Sequence, residues 1–216
     1  MSINRKYTRA ELAALTRARL VSTMNKMFIE QPMEDIKVAD ICKEADVSIG
    51  TFYHYYRSKA DYFREVLEED DKRVCEIWEQ YKNAYLDPIE AIKFLSVTVM
   101  QSSVKNGPVY TTSLYRFMLY PDYDSCFSKE SQRVTEIREN ILSRDKGYKY
   151  IINSQIEAAI EQRRLYGDAD ELFESLMDIL SGVIYNWCYR DGKYDVIKRL
   201  SRLLNSFLGY YAIQHN

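Results

Sequence analysis

The run from Val38 to Lys59, VADICKEADVSIGTFYHYYRSK, constrains the fold more tightly than any other part of the chain, because it reads as two short helices around a tight turn. Val38, Ile41, Cys42 and Ala45 fall at i, i+3, i+4 and i+7, so they share one face of the first helix and turn it inward. Asp46 is the turn residue, since its short polar side chain bonds its own backbone and tolerates left-handed geometry. Val47 anchors the turn to the core. Ser48 opens the second helix, its hydroxyl placed to accept from the orphan N–H groups of the first turn. Two helices joined by three or four residues, the second beginning with small polar residues, make a helix-turn-helix.

Such a unit lays its second helix in the major groove of DNA, and the residue types suit that position. Ser48 and Thr51 are short donors and acceptors at the positive end of the helix, where phosphate is attracted. Gly50 removes a side chain and lets the backbone approach the duplex. Tyr53 and His54 project polar tips from the next turn, while Phe52 and Tyr56 point inward. Ser58 with Asp61 forms a capping box for a third helix. Lys59 in its first turn opposes the helix dipole, a mild penalty that makes sense if the cation neutralises a phosphate.

In this order the residues resemble the N-terminal domain of the TetR family of bacterial transcriptional regulators. That family's pattern runs through alanine-glycine-valine-serine, glycine-threonine-leucine/phenylalanine-tyrosine and serine-lysine, and it stands here as IKVADICKEADVSIGTFYHYYRSK, within a match covering about Met24 to Leu67. The resemblance implies that Ser48, Thr51, Tyr53, His54 and Lys59 face DNA. Two positions depart from the pattern. Asp46 replaces the usual turn glycine, and Lys37 replaces the threonine that caps the first helix and touches phosphate. Lysine cannot cap a helix N-terminus, so Asp35 is expected to do so, with Lys37 left as a phosphate contact.

Only 7 Gly and 4 Pro occur in 216 residues, and the apolar positions recur at helical spacing, so the expected class is all-α. Residues 1–59, the expected DNA-binding domain, carry ten Lys/Arg and seven Asp/Glu, a charge of +3; the remainder carries −5, which matches the overall −2. A positive head on an acidic body is the polarity expected when one end approaches phosphate. Arg5, Lys6 and Arg9 form a basic arm that either reaches DNA or is a solvated tail. Cys42, Cys75, Cys126 and Cys188 include no CxxC pair, so they read as reduced cysteines rather than a zinc site or a disulfide scaffold. No signal peptide and no apolar run of roughly 18 residues is present, so the expected location is the cytoplasm and no membrane partner is expected.

Residues 60–216 read as a larger helical domain, joined to the head by a helix over about 58–81. The first helix of the chain opens at Thr8 with Glu11 as capping partner, buries Leu20, Val21, Met24, Met27 and Phe28, and ends before Pro32. Asp87, Pro88 and Glu90 start a helix that Gly107 and Pro108 stop near Lys105. Further helices are expected over about 109–119, 129–144 and 148–165, with a turn at Pro121 to Asp124. Asp168 and Glu171 cap the next, which carries two apolar stripes: Leu172, Leu176, Ile179, Val183 and Trp187, and beside it Phe173, Met177, Leu180 and Ile184. A helix apolar over so much of its surface must be covered on two sides. The last helix, about Tyr194 to Ile213, places Ile197, Leu200, Leu204, Phe207 and Tyr211 in a pairing seam.

The resemblance implies that the terminal pair builds a four-helix homodimer interface through Leu172, Leu176, Ile179, Val183 and the 197–211 seam. The alternative is that both stripes bury within one subunit. It also implies a pocket for a small-molecule effector of unknown identity inside the central helices. Trp78, Tyr110, Tyr115, Phe117, Tyr120 and Trp187 are the candidates to line it, since tyrosine has an apolar body and a polar tip. The expected function is a ligand-responsive transcriptional repressor binding a palindromic operator as a homodimer, with no cofactor and no enzyme activity. An all-α metal-dependent enzyme is the rival, resting on Glu68, Glu69, Asp70 and Asp71 as a magnesium site. Against it, the only histidines are His54 and His215, and no GxGxxG or GxxxxGK[ST] string is present. A third reading is a helix-turn-helix interaction protein that no longer binds DNA.

Overall fold

The structure, a computed structural model, describes residues 8–84, 87–119 and 145–213. Tyr120, the Pro121 to Asp124 turn and the expected helix over 129–144 lie outside the described residues, as do Cys126, Arg5 and Lys6. Among the described residues, eight α-helices follow one another: α1 Arg9–Glu30, α2 Val38–Glu44, α3 Ile49–Tyr55, α4 Lys59–Tyr81, α5 Pro88–Leu119, α6 Gly147–Glu161, α7 Ala169–Tyr189 and α8 Val196–Tyr211. The fold is all-α. Among the described residues, no helix is long and apolar enough to cross a membrane.

Local chemistry sets most helix ends. Thr8 and Glu11 form a reciprocal capping box on α1. The Asp168 carboxylate accepts from the Asp170 and Glu171 N–H groups at 3.0 Å, and Asp195 accepts from Lys198 N–H at 2.9 Å. The sixth helix ends at Glu161, four residues short of the expected Leu165. Arg163 adopts a left-handed φ of 54°, and the Arg164 N–H reaches back to Ala159 O at 2.8 Å, a Schellman closure. The chain then pairs Leu165 with Ala212 in an antiparallel bridge that ties the end of α8 to the start of the α6–α7 loop.

Two cores form. One gathers Leu20, Met24 and Phe28 of α1, Ile41, Cys42 and Ala45 around α2, Phe52 of α3, and Tyr62 and Phe63 of α4. It also takes in Tyr110, Leu114 and Phe117 from the far end of α5, so this head core draws on residues well beyond residue 59. The other packs Val74 and Trp78 against Ile92, Leu95, Ile152, Ile156 and the inner faces of α7 and α8.

The fifth helix serves both cores because it is bent. Gly107 has φ 81° and ψ 170°, a backbone region open essentially to glycine alone, and Pro108 follows it without an N–H to donate. The helix break expected from Gly107 and Pro108 is therefore a kink between two arms. A Cβ at Gly107 would meet nothing within 4 Å, so replacing it tests backbone strain alone. Gly107→Ala is expected to cost about 1–3 kcal/mol in thermal denaturation.

A second glycine is required by close approach. The Asp71 carboxylate accepts the Tyr148 N–H at 2.9 Å and so caps α6 from across the molecule. Asp71 Oδ1 would lie 2.3 Å from a Cβ at Gly147, whose φ is +68°. Asp70 accepts from Ser102 Oγ at 2.5 Å and faces Arg73 at 3.4 Å. Half of the acidic cluster read as a magnesium candidate therefore braces helices, while Glu68 and Glu69 are exposed.

The stripes expected to make a dimer are covered within the single chain. Leu172, Leu176, Val183, Leu200 and Leu204 are all buried, and Ile179, Ile197, Phe207 and Tyr211 pack against the same core. The helices α7 and α8 thus turn these faces toward α5, α6 and each other, with Ile179, Ile197, Phe207 and Tyr211 left half-buried.

Candidate nucleic-acid interface

The turn between α2 and α3 closes by backbone bonds that its sequence anticipates. Asp46 takes a left-handed φ of 52°, the Val47 N–H donates to Cys42 O at 3.0 Å, and the Asp46 N–H to Lys43 O at 3.3 Å. This is a complete Schellman motif with aspartate in the position glycine usually fills. Val47 packs on the head core as the motif's apolar contact. The geometry sends α3 away from α2 with its N-terminus outward.

Ser48 caps α3, accepting from the Thr51 N–H at 3.0 Å, and the two hydroxyls lie 2.8 Å apart. Whichever hydroxyl donates to the other, the pair keeps one O–H proton to offer outward. Phe52 and Tyr56 are buried, as their spacing predicts. Gly50, Tyr53 and His54 lie on the exposed side of the helix, Tyr53 at 53%. Ile49 shares that side with 52% exposure, a large apolar residue that sequence reading missed. Its spacing gave no signal: Ile49 falls three residues before Phe52 and seven before Tyr56, in step with the inward pair, and its place in the exposed first turn of α3 leaves it outward.

Lys37 occupies the N-cap position of α2, exposed, with no side-chain capping bond. Asp35 does not replace it as expected; it belongs to a one-turn 3-10 helix, Met33–Asp35, immediately upstream. Lys59 departs further from expectation. Its ammonium donates to Met33 O at 2.6 Å and Ile36 O at 2.7 Å, so it turns inward and ties α4 to the turn before α2. Met33 O also accepts the Ile36 N–H at 3.3 Å, so the ammonium takes up remaining acceptor capacity of these carbonyls. The expected Ser58–Asp61 capping box is also replaced. Asp61 accepts from the Arg57 N–H at 2.8 Å, and the buried Ser58 hydroxyl makes no capping bond.

Above the interface, a buried polar chain joins three helices. The Tyr62 hydroxyl donates to Asn25 of α1, and Tyr110 of α5 lies 3.2 Å from Tyr62, so Tyr110 is the donor in that pair. Burial pushes the Tyr110 hydroxyl up to about 12, and Tyr62 is raised further, chiefly by the same cause, so both stay protonated at neutral pH. Ser113 accepts the Met33 N–H at 3.2 Å, and Arg116 pairs with Glu34. The far arm of α5 is thus fastened directly to the head. Neither Tyr62 nor this fastening was legible beforehand.

Of the six residues expected to line an effector pocket, Tyr120 lies outside the described residues and the other five divide between the two cores. Tyr110 and Phe117 belong to the head core, while Trp78, Tyr115 and Trp187 belong to the body core. Helical spacing explains how α5 divides them: Tyr110 and Phe117 stand seven residues apart on the face turned to the head core, and Tyr115 stands on the face turned to the body core.

Residues 20–66 match the family model described as "Bacterial regulatory proteins, tetR family". The HTH-type transcriptional regulator AcrR of Shigella flexneri is 22% identical over 92% of this chain and 90% of its own length. The transcriptional regulator FadR from Bacillus subtilis, solved in complex with stearoyl-CoA, superposes with a TM-score of 0.66 at 18% identity, covering 93% of this chain and all of that one. RolR, solved in complex with resorcinol, superposes with a TM-score of 0.57 at 17% identity, covering 95% and 92%.

Proposed function

We propose, from the premise that this chain belongs to the TetR family of bacterial regulators and carries that family's helix-turn-helix domain, that it is a ligand-released repressor binding a palindromic operator as a homodimer. The observation that carries the DNA reading is the outward face of α3, where Ile49, Gly50, Tyr53 and His54 stand clear of the core beside the Ser48–Thr51 hydroxyl pair. Tyr53 and His54 offer hydrogen bonds to base edges, and Ile49 suits a thymine methyl. Gly50 admits the backbone, Ser48 and Thr51 offer their remaining hydroxyl proton to phosphate, and Lys37 stands exposed near the start of α2.

Dimerisation on this reading uses the outer faces of α7 and α8 in place of the buried stripes. Glu171, Glu174, Asp178, Gly182, Tyr185 and Tyr189 follow one another along the solvent side of α7 at helical spacing, with Tyr185 and Tyr189 69% and 78% exposed. Lys198, Arg202, Ser206 and Gly209 do the same on α8, flanked by Tyr210 at 71%. A two-fold axis that lays α7 on the partner's α8 sets acidic residues against basic ones, with small residues where the helices cross. Such a dimer places two reading helices about 34–36 Å apart.

The effector is proposed to bind in the body beside Trp78, Tyr115 and Trp187, with Tyr110 and Phe117 on the side that reports to the head. Support comes from similar folds that hold small molecules, stearoyl-CoA in one and resorcinol in another. Ligand favouring one head spacing changes operator affinity by the same coupling. The head moves with α4, which carries Phe63 in one core and Trp78 in the other.

A mobility-shift titration on the DNA upstream of the chain's own gene tests the core of this function. Tyr53→Ala and Ile49→Ala are each expected to weaken the operator complex by about 1–3 kcal/mol while leaving a scrambled duplex little changed. Equal loss on both duplexes would show that neither side chain reads sequence.

A further inference from the structure

We propose that Arg57 and Arg64 form a phosphate seat at the junction of α3 and α4, taking a backbone phosphate of the bound DNA in the role that the inward-turned Lys59 does not fill. This rests on the DNA-reading function above. Between the end of α3 and the first turns of α4 lies a concavity lined by Tyr53, His54, Tyr55, Arg57, Asp61 and Arg64. It opens beside the two side chains that crown the reading face, so a duplex seated on α3 runs its backbone past this rim.

The charges in the concavity are arranged to receive an anion. Its lining residues include two arginines and one carboxylate, and that carboxylate is already engaged within the protein. Asp61 Oδ2 accepts from the Arg57 N–H at 2.8 Å, while Oδ1 stands 3.8 Å from Arg64 Nη2. The longer contact orients the Arg64 fork without saturating it, and guanidinium has five donors suited to two phosphate oxygens at once. The same junction holds the N-terminus of α4, where the Ser58 side chain gives no capping bond and its buried hydroxyl has no partner. Its positive end adds to the field of the two arginines.

The competing cation is Lys59, one residue into α4. Its ammonium is held by two backbone carbonyls at 2.6 and 2.7 Å, a geometry that secures the turn before α2. A lysine so placed serves the fold, and the loss of its ion-pairing with DNA is made good by arginines on either side of it in sequence.

Salt dependence separates these roles, because each phosphate neutralised by the protein contributes about 0.9 to the slope of log affinity against log salt. The full-length protein and its Arg57→Gln, Arg64→Gln, double and Lys59→Gln variants are titrated against operator and scrambled duplexes by fluorescence anisotropy from 50 to 200 mM KCl. The double variant is expected to lose affinity by a similar factor on both duplexes, with the slope reduced by about 1. Lys59→Gln is expected to lower the melting temperature and leave the slope unchanged. Arg64→Lys keeps the charge without the fork, so it retains the slope and loses part of the affinity, and it serves if Arg64→Gln fails to fold. An unchanged slope in the double variant, or a slope lost in Lys59→Gln, overturns the proposal. So does calorimetry in which inorganic phosphate binds the DNA-free protein through these arginines while the DNA slope does not move, which assigns the seat to a free anion. Wild-type protein that does not prefer any operator over scrambled DNA refutes sequence reading instead, and leaves the slope comparison on plain duplex intact.

Discussion

Phe63→Ala is expected to destabilise the protein by about 3–5 kcal/mol, the range for removing a large aromatic from a packed core. The Phe63 ring is fully buried and touches rings from three helices. It stacks on Phe28 of α1 at 5.3 Å and on Phe117 of α5 at 6.2 Å, and meets Tyr110 of α5 at 5.4 Å and Tyr62 of its own α4 at 5.3 Å edge-on. Truncation leaves a void that cannot collapse, since α1 is tied to α4 through Tyr62 and Asn25, and α5 is tied to the head through Ser113 and Arg116. For a chain of this size the melting temperature should fall by about 6–20 °C. Circular dichroism melts compare it with Tyr53→Ala, whose exposed ring is expected to cost no more than about 0.5 kcal/mol. A fall below about 2 °C would mean that the five rings are not the keystone between head and body.

The second large effect concerns assembly. Gly182→Glu combined with Arg202→Glu adds a carboxylate to the outer face of α7 and reverses a charge on that of α8, and is expected to yield a folded monomer whose operator affinity is lower by about 10²–10⁴, the avidity lost with the second head. The subunit itself tolerates the change. A Cβ at Gly182 meets no atom within 4 Å, Arg202 is exposed, and replacing a mid-helix glycine favours the helix by a few tenths to about 1 kcal/mol. Unchanged circular dichroism with a halved mass in sedimentation velocity is the expected signature. A dimer that persists with undiminished affinity would place the subunit contact elsewhere.

What was legible in advance follows the range of the interactions involved. Thr8, Ser48 and Asp168 cap helices through groups two or three residues away, and Asp46 closes its turn through its own neighbours. The inward pair Phe52 and Tyr56 follows from 3.6-residue periodicity. The reading helix could therefore be placed from residue types alone, down to the outward Tyr53 and His54. Ile49 was missed because apolar side chains are assumed inward until the opposite face is seen to be full.

Other features had no local signal. Lys59 reads as a solvent-facing cation until the carbonyls of Met33 and Ile36, more than twenty residues upstream, are brought under its ammonium. The Ser58–Asp61 box was a sound local expectation, overridden when Asp61 bonded the Arg57 N–H. Tyr110, Tyr115 and Phe117 looked like parts of one pocket lining, and the position of their helix between two cores set them on opposite faces.

By itself, then, the sequence determined most of the described helices, the caps at Thr8, Ser48 and Asp168, the turn that aims α3 and the outward Tyr53 and His54, because each is settled by contacts within about one helical turn. It also determined that α7 and α8 must be covered on more than one side. Only the tertiary structure decided what covers them, which way Lys59 points, and that the far arm of α5 belongs to the head. An apolar stripe states that water must be excluded from a face, and a charged side chain states that it needs a partner; neither names the partner. That choice is made when elements distant in sequence compete for the same surface, and here it placed the buried stripes of α7 and α8 inside the subunit and left their acidic, basic and tyrosine-bearing faces outward.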